Sequence, residues 1–164
     1  MRFEEKREYW AACYQTEKFI LVETHSGLGM TRGDPLFSPY KLDLTAMSDS
    51  LGEVVIRALI NSRSIEDRDE RKDFFSQEKI ASDYKKWIDD LISDFSYKNK
   101  KALFSNMKRC GIRCCEGLII IAPSQHEKLE AWRALGPEQE VKLPADSSED
   151  EIGIGLRLAL SRCL

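Results

Sequence analysis

"SDSLGEVVIRALINSR", residues 48–63, and "EDEIGIGLRLALSRC", residues 149–163, decide the fold, because the second nearly repeats the first. At a constant offset of 101 residues, Lys41 and Lys142, Leu42 and Leu143, Asp49 and Asp150, Gly52 and Gly153, Ala58 and Ala159, and Leu59 and Leu160 are identical pairs. In the first copy Leu51, Val54, Val55, Ala58 and Leu59 recur at i, i+3, i+4, i+7 and i+8. That is the one-sided stripe of an amphipathic helix. In the second, Ile152, Gly155, Leu156, Ala159, Leu160 and Cys163 form the stripe. A short strand precedes each helix, "YKLDL" at 40–44 and "EVKLPA" at 140–145. Ser48 or Ser50 is placed to cap the first helix, with Asp49 well set for its dipole. Ser148 and Glu151 write a capping box for the second. Glycine in a helix costs about 1 kcal/mol against alanine. Its presence in the first turn of both copies therefore asks for another backbone close by, and Ala58 and Ala159 permit the same closeness. The expectation is scaffold: two helices laid tightly on a sheet.

The rest of the chain supplies that sheet. "EYWAACY" at 8–14 and "KFILVET" at 18–24 read as a hairpin. "HSGLGMTRGDPLFSP" at 25–39 is rich in Gly and Pro and reads as a loop. Residues 64–79 read as a charged connection without a clear period. From Ala81 to Phe95, Tyr84, Trp87, Ile88, Leu91, Ile92 and Phe95 write a third helix, expected as a principal core element. Residues 99–110 allow a short helix through Leu103, Met107 and Cys110. "GIRCCEGLIIIAP" at 111–123 reads as a second hairpin turning near Glu116-Gly117, its second half apolar enough for a strand covered on both faces. "SQHEKLEAW" at 124–132 opens with Ser124-x-x-Glu127, a capping-box pattern for a helical turn or two. The fold class expected is mixed α/β: one domain over 1–164, a central, mostly antiparallel sheet and about three amphipathic helices packed on it.

The totals narrow the function. The chain has 164 residues, 42% hydrophobic and 32% charged, as for a globular protein able to bury a core without disulfides or metal. The longest apolar run, "LIIIA" at 118–122, is far too short to cross a bilayer. The opening "MRFEEKREYW" has no apolar stretch before a cleavage site, so the expectation is no signal peptide, a cytoplasmic protein and no membrane partner. A net charge of −3 argues against direct nucleic-acid binding and permits a basic protein partner. The five cysteines are expected as reduced thiols. Cys110 and Cys114 have a zinc-like spacing, but no second pair follows, and Cys114 and Cys115 would face opposite ways on a strand. Neither a metal nor a cofactor is expected.

No catalytic constellation stands out. The glycines of 25–34 lack the Gly-Lys-Ser/Thr of a phosphate loop and the spacing of a dinucleotide fold. His25 and His126, with Asp34, offer a small nuclease-like enzyme as an alternative, without a motif behind it. Ser124-Gln125-His126 has no strained elbow around it. The segment 64–79 carries Glu66, Asp67, Asp69, Glu70 and Asp73 among Arg68, Arg71 and Lys72. It is a solvated face in one reading. In the other it is an acidic docking surface with Phe74 and Phe75 as exposed anchors.

Three stretches together, "LGEVVIRALINSR" at 51–63, "GLIIIAPSQHEKLEAW" at 117–132 and "SSEDEIGIGLRLALSRC" at 147–163, resemble the CdiI immunity proteins of contact-dependent growth inhibition systems. That family has a helix opening with Leu-Gly, a P-x-x-H-E-K-L-x-x-W segment, and a terminal helix ending near "ALSRC". Leu51 and Gly52, then Pro123, His126, Glu127, Lys128, Leu129 and Trp132, then Gly153 and Ala159, match it in order. The resemblance implies a non-enzymatic protein that binds the C-terminal toxin domain of a cognate CdiA protein one-to-one. Such toxins are frequently nucleases, often directed at tRNA. It does not transfer contact residues, because recognition surfaces differ between toxin pairs. The matching residues are expected as fold determinants, with Trp132 and Leu129 in the core, and His126 either among them or capping or bonded to backbone. An adaptor for another protein partner is the remaining alternative.

Overall fold

The computed structural model describes residues 2–164. Its strands are β1 (Tyr9–Gln15), β2 (Ile20–Leu28), β3 (Met30–Gly33), β4 (Tyr40–Leu42), β5 (Lys108–Cys115), β6 (Leu118–Lys128), β7 (Ala131–Ala134) and β8 (Val141–Pro144). Its helices are α1 (Ser48–Asn61), α2 (Arg68–Phe74), α3 (Gln77–Asp94), α4 (Lys100–Phe104) and α5 (Glu149–Arg162). The eight strands form one sheet in the order β3-β2-β1-β5-β6-β7, with β4 also paired to β2 and β8 to β6. Every strand pairing is antiparallel. The expected class and the antiparallel hairpins hold; the helices number five rather than three.

Strand alternation gives the sheet two buried faces. Tyr9, Ala11 and Cys13 of β1, Ile20 and Val22 of β2, and Ile119 and Ile121 of β6 join the buried stripes of α1 and α5 in the main core. The opposite face carries Phe19 and Leu21, which pack with Ile88 and Leu91 of α3 and Leu103 and Phe104 of α4 in a second, smaller cluster. Here the sequence reading needs correction. α3 is not a principal core helix: only Ile88 and Leu91 are buried, and Tyr84 is 41% exposed. The 3.6-residue period located its inner face correctly, but the number of partners across that face is a tertiary property.

The two similar helices meet each other. A Cβ placed on Gly52 would fall closer than 3 Å to the Glu149 carbonyl, and one on Gly153 would do the same to the Ser48 carbonyl. The close backbone that these glycines require therefore belongs to the other copy, not to the sheet. Gly155 is the one that faces the sheet, against Leu143 and Val141. Ser48 does not cap α1, nor does Ser50; Met47 occupies the N-cap without a side-chain bond. Ser148 caps α5 as its capping box predicts, accepting from Glu151 N at 3.1 Å.

Three further segments differ from expectation. Residues 25–33 are not loop: β2 runs to Leu28 and turns through Gly29, at φ +76°, into β3. The glycine punctuation marked a hairpin tip, and only 34–39 stays irregular. Residues 124–128 are strand, not helix. Ser124 uses its hydroxyl on the Arg109 carbonyl of β5 instead of on a helix N-terminus, and β7 pairs alongside. The segment 64–79 holds α2, capped by Asp67, and the first turn of α3, capped by Ser76. The β5–β6 turn at Glu116 and Gly117 is as expected, both residues having positive φ, as a two-residue primed turn needs.

Candidate functional site

The segment singled out by its charge is built around a buried carboxylate. Asp34, at the end of the β2–β3 hairpin, has no exposed side-chain surface. It accepts from Arg63 Nε at 2.7 Å and a second Arg63 nitrogen at 3.0 Å, from Ser26 Oγ at 2.7 Å and from Leu36 N at 3.0 Å. Burial alone would raise its pKa; these hydrogen bonds outweigh burial and hold it below the ordinary carboxylate value. Asp34 is thus a structural anchor rather than a nuclease carboxylate. Arg63 in turn reaches Glu70 at 3.5 Å and lies over the Phe74 ring, at 5.7 Å. Arg32 covers the same ring at 4.3 Å and bonds the Phe74 carbonyl and Asp83. These contacts fix α2 against the hairpin.

Within that frame the acidic residues divide. Asp67 caps α2, Glu70 pairs with Arg63, and Asp73 pairs with Lys79. Glu66 and Asp69 are exposed with Arg68 and Lys72 beside them. Phe74 is only 7% exposed, held under two arginines, and so is not an exposed anchor. Phe75 is half-buried, its ring edge against Gly27. The open apolar groups here are Leu28 and Met30, 45% and 61% exposed at the hairpin tip. Sequence reading missed them because it took 25–39 as loop; the alternation of Leu28, Gly29 and Met30 about one glycine was the available signal.

The family-motif residues lie mostly in the frame. Leu51 and Ala159 are fully buried, and Pro123 pairs with Cys110 in the sheet. Trp132 is half-buried and donates its N–H to the Met107 carbonyl at 2.9 Å. Leu129 is no core residue: it is 39% exposed, at the β6–β7 turn. His126 stacks on Trp132 at 4.8 Å and bonds the Leu129 carbonyl through Nε2, one of the roles expected of it.

His25 and His126 are not brought together. β1 and β5 separate their strands, and Ile120 rather than His126 is level with His25, so about 14 Å across the sheet and about 20 Å along it lie between them. Cys110 and Cys114 are four residues apart on one strand, hence about 13 Å, too far to share an ion bound at about 2.3 Å. Among the described residues there is no group of three or more His, Cys, Asp or Glu side chains set to hold a metal. Burial raises the Cys13 and Cys114 thiols, the latter to about 11, and the hydrogen bond with Cys163, with burial second, raises that of Cys110. No described helix is long and apolar enough to cross a membrane.

The sheet carries a hydrophobic core on each face, and its helices turn charged side chains outward. The CDI immunity protein (CdiI) family model matches residues 9–163, and the chain belongs to that family. The immunity protein CdiI-YPIII of Yersinia pseudotuberculosis serotype O:3 is 36% identical, with 94% of each chain covered. A Neisseria meningitidis protein of unknown function matches with a TM-score of 0.95 and 41% identity over the whole of both chains. A chain from a CdiA-CT/CdiI toxin and immunity complex of Yersinia pseudotuberculosis matches with a TM-score of 0.89 and 34% identity, over 96% of this chain and 98% of that one.

Proposed function

We propose that this protein, as a single domain in the cytoplasm, binds the C-terminal toxin domain of a cognate CdiA protein one-to-one and neutralises it. The observation that carries the reading is the likeness over nearly the full chain to a CdiI immunity protein and to a chain of a toxin and immunity complex. The role is binding, not catalysis; the separation of His25 from His126 supports this. The toxin is a nuclease, tRNA being one candidate substrate. A basic nuclease suits an inhibitor of net charge −3, since opposite fields speed encounter. The docking surface is α2 with its flanks: Glu66 and Asp69 as acidic rim, and Phe75, Leu28 and Met30 as apolar centre. Nucleic acid is excluded by the bound toxin rather than touched by this chain.

The test is growth of cells expressing the toxin domain encoded beside this gene, with and without this protein. Rescue together with a stable one-to-one complex in size-exclusion chromatography is expected. No rescue by folded, abundant protein overturns the pairing. Rescue that survives loss of the complex would favour an enzymatic or adaptor role instead.

A further inference from the structure

On the sheet face opposite α1 and α5, a cavity of about 490 Å³ opens between β1, β2 and α3. That volume is in the range of small-ligand sites. Glu23 and His25 of β2 form its floor, and Tyr14, Trp87, Phe104 and Trp132 contribute aromatic walls. The rings are closely associated: Trp87 meets Tyr14 at 5.1 Å and Phe104 at 6.2 Å, and Phe104 meets Trp132 at 6.1 Å. The site exists because Ala12 is the cross-strand neighbour of Glu23 and Gly111 that of Ala12. Arg109 of β5 is the large side chain nearest to this gap; it reaches over Gly111 to the Tyr14 ring and hydroxyl.

Three buried polar atoms at this cavity have no hydrogen-bond partner: Glu23 Oε1, His25 Nε2 and Trp87 Nε1. Glu23 and His25 are only 9% and 8% exposed. His25 Nε2 stands 3.2 Å from Glu23 Oε2 without the alignment of a hydrogen bond. An unpaired buried polar group costs free energy, so Glu23 Oε1 marks a place where a donor is missing, while the Trp87 indole N–H, itself a donor, is left for an acceptor. The other charges lining the cavity have partners. Asp34 is held by Arg63, Asp83 by Arg32 and Asp90 by Lys86, while Lys41 reaches Asp94. Glu23 has His25 beside Oε2, and its Oε1 is left as an acceptor among aromatic faces.

We infer that this cavity is a binding site for a guanidinium or ammonium group, which pairs with Glu23 and lies against the Trp87 ring. A carboxylate beneath aromatic walls suits a cation in two ways, by a charge-assisted hydrogen bond and by cation–π attraction. The chemistry has two sources, a free small cation or a basic side chain of a bound protein. The inference stands independently of the immunity reading.

The test uses N-ethylguanidinium as probe and the three tryptophan indole N–H signals of the labelled protein as readout. A saturable shift confined to the Trp87 indole is expected, with Glu23→Gln weakening it at least tenfold. Gly33→Ala is the second variant: its Cβ would come 2.5 Å from Glu23 Oε2, turning the carboxylate aside without removing it. It should weaken the probe similarly while the far-UV spectrum stays unchanged. No shift at Trp87, or an unaltered shift in both folded variants, overturns the inference. Added toxin domain that displaces the probe assigns the site to a toxin side chain; probe and toxin bound together assign it to a free small cation. If toxin does not bind the wild-type protein, the immunity reading falls, and the probe result still decides the cavity.

Discussion

Gly52 and Gly153 each face the backbone of the other's helix: the first lies against the Glu149 carbonyl and the second against that of Ser48. The contact is reciprocal, so each helix supplies both the small residue and the carbonyl that needs it. Ala58 and Ala159, both fully buried, extend the same stripe of small side chains. Gly52→Ala and Gly153→Ala should each destabilise by about 2–3 kcal/mol, because the clash is with backbone and cannot be relieved by a rotamer change. The double variant should cost less than the sum of the two, since one separation of the helices relieves both clashes. Urea unfolding midpoints measure this; Ile154→Ala, at an exposed position of α5, should shift them little.

Asp34 couples the hairpin to the end of α1, and acid should release it. Its pKa is lowered in the fold, so the stabilisation is present above the ordinary value of 3.8 and is lost as pH falls through the lower folded value. Asp34→Asn should flatten this part of the acid limb and cost about 2–3 kcal/mol near neutral pH. The figure lies below the ~3–5 kcal/mol of a fully buried pair because Arg63 is one-third exposed and screened by water. Unfolding free energy measured from pH 7 down to pH 2.5 in both proteins gives the comparison.

The helix caps predict an asymmetry between the two similar stretches. Ser148→Ala should cost about 1 kcal/mol, since Ser148 accepts from Glu151 N. Ser50→Ala, in the corresponding region of α1, should cost a few tenths at most, because α1 has no side-chain cap. Equal losses in thermal unfolding would contradict the capping geometry.

The proposed acidic rim should act on encounter rate. Glu66→Lys with Asp69→Lys should slow toxin association about tenfold at low salt, and the difference should shrink at 0.5 M salt. Asp67 is left in place because it caps α2. Stopped-flow association with an unchanged rate would remove α2 from the interface. Met30→Ala at the hairpin tip should instead raise the dissociation rate, as loss of an apolar contact does.

The elements that local rules govern were legible before the fold was known. The stripe of α5 needed only its period and the Ser148–Glu151 box, and the β5–β6 turn needed only Glu116-Gly117 between apolar strands. Trp132, His126 and the glycines were legible as a family pattern, but not their positions in space. The candidate site was half legible. Its charge was plain in residues 66–73, while the burial of Phe74 and the exposure of Leu28 and Met30 were not. Ser124-x-x-Glu127 was misread for a related reason. A capping box describes two local hydrogen bonds, and Ser124 found a better one on the neighbouring strand.

The sequence by itself determined the β1–β2 and β5–β6 hairpins, the helix faces, and the need for close approach at Gly52 and Gly153. These follow from side-chain period, backbone freedom and capping chemistry, all of which act within a few residues. Only the tertiary structure decided that the two similar helices pack on each other, that Asp34 is an anchor, and that Glu23, His25 and Trp87 share a cavity. Glu23 and Trp87 lie 64 positions apart in the chain. Their meeting depends on which strand pairs with which and on where α3 crosses the sheet, and no local pattern encodes that.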